Sequence, residues 1–180
     1  WSFLARLNPV ERRFREREAA ARIAAKDLSG AEAVVNGLIA KGETSETLAL
    51  RGAILLAKND LGAASAVLEK AITIRPVSRR AEYQIGLLRI AQSKFGQAIP
   101  FLENAAREKA FRLPARVGIA EAYSRQENFI RVAEILESLG DLRRPFEVIF
   151  VDDVSRDRTR EILRGLPEAS PDVAIRLLLH

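Results

Sequence analysis

Asp60-Leu61-Gly62-Ala63-Ala64-Ser65-Ala66-Val67-Leu68 decides how this chain is read, because the phrase recurs in register at three other places. Asp27-Leu28-Ser29-Gly30-Ala31-Glu32-Ala33-Val34-Val35 precedes it. Lys94-Phe95-Gly96-Gln97-Ala98-Ile99-Pro100-Phe101-Leu102 and Asn128-Phe129-Ile130-Arg131-Val132-Ala133-Glu134-Ile135-Leu136 follow it. The large apolar residue returns at Leu28, Leu61, Phe95 and Phe129, with spacings of 33, 34 and 34 residues. Ala31, Ala64, Ala98 and Val132 keep those spacings, as do Val35, Leu68, Leu102 and Leu136. Three columns with one period make a repeat, and periods of this length belong to stacked supersecondary units.

Each unit reads as two helices. Upstream of the phrase stand small residues at a fixed offset, Gly52, Gly86 and Ala120, followed three residues on by Leu55, Arg89 and Tyr123. Small side chains let one helix approach another closely, while apolar positions at helical spacing face the stack. Gly42 and Pro76 punctuate the first two units, and Pro114 is expected at the start of a helix opening the fourth. The units run over about 13–42, 43–76, 77–111 and 112–144, after a lead segment at 1–12.

Gly52, Leu61, Ala64, Ala71 and Pro76, then Gly86, Phe95, Ala98 and Ala105, and more weakly Ala19, Leu28, Ala31 and Leu38, resemble the consensus of the tetratricopeptide repeat family. The resemblance covers roughly residues 13–144; the family's conserved Trp is absent throughout. It implies a mainly α fold, an α-solenoid of about four helix pairs with a concave groove.

Composition removes several classes of chemistry. The 180 residues contain no Cys, so disulfides, zinc knuckles and thiol nucleophiles are excluded. The single His is the last residue, His180, which leaves no histidine triad or cluster. Net charge is +5, but acids are interspersed with the bases and aromatics are only 6%, so a solvated surface is preferred to a nucleic-acid interface. No apolar run of membrane-spanning length occurs. Met is absent, which suggests a fragment of a longer protein.

The chain changes character after Arg144. Pro145-Phe146-Glu147-Val148-Ile149-Phe150-Val151-Asp152-Asp153 is a β-branched and aromatic run ending in two acids, as in a buried parallel strand. Ser155 or Asp157 can cap a helix over Thr159 to Arg164, closed by Gly165, and a second apolar run spans Val173 to Leu179. The order is strand, helix, strand, a short βαβ-like segment over 145–180.

Glu147-Val-Ile-Phe-Val-Asp-Asp-Val-Ser-Arg-Asp-Arg-Thr-Arg-Glu-Ile-Leu resembles the nucleotide-binding start of family-2 glycosyltransferases. The resemblance implies that Asp152 and Asp153 contact the nucleotide of a nucleotide-sugar, with Ser155 and Thr159 shaping the turn. The family's Gly is Val154 here, and a β-branched residue resists positive φ. The likeness extends upstream, where Tyr123-Ser-Arg-Gln-Glu-Asn precedes Asp152 by 29 residues and Val117 to Tyr123 reads either as the family's first strand or as a repeat helix. Helix-favouring composition behind Pro114 favours the helix. Such an enzyme needs a divalent cation on the leaving diphosphate and a carboxylate base. Asp157, Glu161, Glu168 and Asp172 lack metal-site spacing, so no metal site and no catalytic residue is expected in these 180 residues.

At the other end, Trp1-Ser-Phe-Leu-Ala-Arg-Leu-Asn-Pro-Val is apolar and Trp-led and leads into Arg12, Arg13, Arg15 and Arg17, interleaved with Glu11, Glu16 and Glu18. This reads either as a juxtamembrane segment or, by preference, as a capping helix with a charge lattice. The function expected first is a scaffold that holds a protein or peptide segment, without a cofactor. Its groove is projected to include Glu46, Ala49, Ala53, Arg80, Tyr83, Leu87, Val117, Glu121 and Arg125. The alternative is the N-terminal part of a glycosyltransferase of cell-envelope or other polysaccharide synthesis, using a nucleotide-sugar with a divalent cation. Either would work in the cytoplasm or at the inner face of a membrane. The tail is expected to dock on the last repeat with at least one strand retained.

Overall fold

The computed structural model describes residues 8–140, 147–152, 164 and 174–179. Eight helices occupy the first stretch: α1 (Pro9–Ala24), α2 (Leu28–Ala40), α3 (Ser45–Ala57), α4 (Leu61–Thr73), α5 (Arg79–Ala91), α6 (Phe95–Ala106), α7 (Lys109–Ser124) and α8 (Phe129–Gly140). They pack as sequential pairs, α1 with α2, α3 with α4, α5 with α6 and α7 with α8. First helices of successive pairs also touch (α1 with α3, α3 with α5, α5 with α7), whereas among the described residues no comparable contact joins successive second helices. The first helices are therefore the inner layer of the array.

The turn inside each pair is built four times from the same geometry. Lys26, Asn59, Ser93 and Glu127 have φ of 60°, 59°, 58° and 57°, and their spacings are those of the sequence repeat. Each left-handed residue lets the next backbone N–H reach back five residues, Asp27 to Arg22, Asp60 to Leu55, Lys94 to Arg89 and Asn128 to Tyr123. The first helix's orphan carbonyls are thus satisfied. The second helix starts on the following side chain: Asp27 accepts from Gly30 N at 2.9 Å and Asp60 from Ala63 N at 3.0 Å. The fourth turn belongs to the same series. It makes Val117 to Tyr123 helical and closes the strand reading of that stretch.

Packing within a pair follows the expected columns. Ala31, Ala64 and Ala98 are 0% exposed and Val132 1%, while Val35, Leu68 and Leu102 are equally enclosed. A Cβ on Gly52 would overlap Leu68, and one on Gly86 would overlap Leu102, so these glycines allow the close crossing inside their pairs.

Two boundaries differ from expectation. α1 begins at Pro9, capped by the Asn8 side chain on Val10 N, so residues 9–12 belong to the first helix and not to the lead. Pro114 lies inside α7, which starts at Lys109, rather than at a helix start. Proline has no N–H there, so the Ala110 carbonyl goes without its helical partner, a cost that the helix carries.

Beyond the helices, β1 (Glu147–Asp152) and β2 (Ala174–Leu179) pair in parallel, with Glu147 opposite Ala174 and Asp152 opposite Leu179. Trp1 to Leu7, Asp153, Ser155, Thr159 and the expected helix up to Leu163 lie outside the described residues.

Candidate functional site

The inner face carries a groove of about 620 Å³ lined by Arg13, Glu16 and Arg17 of α1, Glu46 of α3, Arg79 and Arg80 of α5, and Phe111 of α7, among others. Four successive first helices contribute because each repeat presents the same helix face to the same side. At its centre Arg80 Nε donates to Glu46 Oε1 at 2.7 Å across exactly one repeat length of 34 residues. The Arg80 guanidinium also lies 5.3 Å from the Phe111 ring centroid, and Tyr83 stands 5.4 Å from the same ring. Cation, carboxylate and rings form one cluster.

Electrostatics on this face are uneven. Burial, followed by the nearby Glu46 carboxylate, pushes Glu16 above the usual carboxylate range, against the pull of Arg12, Arg80 and Arg13. Burial pushes the Tyr83 phenol up as well. Arg79 is held by Glu82 at 2.7 Å.

The projected groove residues divide into four groups. Glu46 and Arg80 come together as each other's partner. Ala49 is 0% and Ala53 7% exposed; both are corrected to core positions, because α3 is enclosed by its neighbours and Ala49 packs with Leu48, Ala71 and Ala81. Tyr83 and Leu87 are half-buried, with Tyr83 packed on the α6–α7 cluster. Val117 is 52% exposed, and Glu121 and Arg125 are exposed toward the end of α7.

Sequence reasoning missed Glu16 and Phe111. Phe111 falls where the repeat register places a connection between pairs, but α7 carries an extra N-terminal turn. The helix-favouring run Glu108-Lys109-Ala110-Phe111-Arg112-Leu113 is the signal that could have shown it.

The second candidate is the C-terminal end of β1. Its parallel pairing with β2 delivers Asp152 to the strand end, the side on which ligands bind in open α/β sheets. Asp153, Ser155 and Thr159 follow it outside the described residues. Among the described residues no group of three or more His, Asp or Glu side chains could hold a metal ion, so the donor set for a divalent cation is not met there.

A family model described as Glycosyl transferase family 2 matches residues 121–178, which takes in the last turn of α7, α8, β1 and β2 up to Leu178. The helical pairs match no tetratricopeptide family model. No curated protein and no solved structure matches the chain.

Proposed function

We propose that residues 147–178, the part of the family match that lies beyond α8, belong to the nucleotide-binding start of a family-2-type glycosyltransferase unit, carried behind a tetratricopeptide-like array of helix pairs. The family match over those residues carries the reading. The parallel β1–β2 pair, with Asp152 at the strand end, supports it. In this reading the Asp152 and Asp153 carboxylates accept hydrogen bonds from the base or ribose of a nucleoside diphosphate, the carrier end of a nucleotide-sugar. Ser155 and Thr159 line the turn beside them. No step is assigned to a divalent cation, because the described residues supply no ligand set for one.

The test is a calorimetric titration of the chain with uridine, guanosine and thymidine diphosphates. One of them should bind, and Asp152→Asn and Asp153→Asn should each weaken binding roughly tenfold or more, the usual cost of losing a hydrogen bond to a charged acceptor. Absence of binding to all three would remove the proposal.

A second reading rests on the groove. The inner face is concave by construction and combines charge with the Tyr83–Phe111 rings, features suited to an extended peptide segment. In this scaffold reading Leu87, Val117, Glu121 and Arg125 extend the contact surface along α5 and α7.

A further inference from the structure

Val10 and Phe14 stand one turn apart on α1 with 75% and 69% of their surface exposed. One repeat on, the positions aligned with Phe14 are enclosed: Thr47, Ala81 and Ala115 are each 0% exposed. Ala81 shows why, since it packs against Ala71 of the preceding pair. The Phe14 face of α1 is thus left uncovered among the described residues. Here it presents two large apolar side chains.

Cations flank them. Arg13 and Arg17 follow at helical spacing on one side, where they also border the groove that holds Glu16 and Glu46, and neither is ion-paired among the described residues. The other arginines of this helix are engaged: Arg12 donates to the Gly42 and Lys41 carbonyls, Arg15 pairs with Glu18, and Arg22 pairs with Glu18 and Asp27. Glu11 lies on the opposite flank, beside a Glu18 already neutralised by two arginines.

We propose that the α1 face formed by Val10, Phe14, Arg13 and Arg17 docks on an anionic lipid bilayer. Apolar side chains enter the boundary between headgroups and acyl chains, while guanidinium groups at their edge meet lipid phosphates. Each attraction is weak alone, and stable peripheral attachment requires two such signals together. No helix among the described residues is long and apolar enough to cross a membrane, so the contact is peripheral. A second copy of the chain is the competing occupant. Two apolar side chains on one helix bury far less than the roughly 1,200 Å² at the low end of stable protein interfaces, which favours the lipid surface. The inference stands independently of nucleotide binding.

The experiment is co-sedimentation of the full 180-residue chain with phosphatidylglycerol-containing vesicles and with pure phosphatidylcholine vesicles. Binding should be selective for the anionic vesicles and fall with salt. Phe14→Asp, at an exposed position, should weaken it roughly tenfold or more. Arg13→Glu combined with Arg17→Glu should do the same. Arg80→Ala, in the groove, should leave it unchanged, and circular dichroism confirms that each variant remains helical. The proposal is overturned by absent binding, by equal binding to both vesicle types, or by binding that survives Phe14→Asp. It is overturned equally if sedimentation equilibrium shows a dimer that Phe14→Asp dissolves, which would make a second copy the occupant.

Discussion

At Glu16 the fold works against a charge. Burial and Glu46 raise its pKa, so the unfolded chain ionises this carboxyl at lower pH than the folded one does. Its contribution to stability is then full below the ordinary carboxylate range and is lost as pH rises through the raised folded value. At neutral pH the ionised side chain is a net cost, and Glu16→Gln should raise the melting temperature. That gain should shrink to nothing in acid, where wild-type Glu16 is protonated in both states. A lower melting temperature at neutral pH would show that attraction to Arg12, Arg13 and Arg80 outweighs desolvation. This site was only half legible in the sequence. The repeat spacing that aligns Glu46 with Arg80 was visible, and the groove projection named both. It did not show that they would satisfy each other, because two complementary groups one repeat apart look the same whether they face a partner or one another. Ala49 was misjudged for a related reason: the register gives the side a residue faces, but enclosure depends on the size and position of the neighbouring helices.

Among the elements, the turn within each pair is the best place to improve the fold. Asp27, Asp60, Lys94 and Asn128 occupy one column immediately before the second helices. Lys94 has φ −94° and ψ 57°, close to Asp60 at −89° and 79°, yet it caps nothing with its side chain. Lys94→Asp should offer a carboxylate oxygen to the Gln97 N–H, which now donates to the Lys94 carbonyl at 3.0 Å, and stabilise by about 0.5 kcal/mol in a denaturant melt. A neutral or negative effect would mean that the α6 start differs from that of α4. The small-residue column gives the opposite sign. Ala64→Leu or Ala98→Leu overpacks a position with no exposed surface and should destabilise by roughly 1–3 kcal/mol. These columns were legible because period and residue size are local properties of the sequence. The start of α7 was not, because a proline is compatible with the first turn and, less comfortably, with the interior, and the tertiary packing of Phe111 on Tyr83 decides in favour of a longer helix.

For the whole molecule, the pairing of contacts makes stability a property of neighbours. First helices touch the pairs on either side, so an inner unit gains from two interfaces and an end unit from one. Burial follows that rule: α3 encloses eight residues, whereas α1 encloses only Ala19. The composition reads as an ordinary globular domain, and it is the period that reveals an array with no single core. Unfolding should accordingly be graded along the chain. In native-state hydrogen exchange, amides in the middle of α3 and α5 should exchange slowest and those of α1 distinctly faster, because opening α1 exposes its contacts with α2 and α3 only, whereas opening α3 exposes those with α1, α2, α4 and α5. Residues 147–151 provide an independent comparison, since β1 has its hydrogen-bond partner in β2 and not in a helix. If α1 to α8 instead exchanged with one common free energy, the eight helices would form a single cooperative unit, and the nearest-neighbour account of this fold would fail.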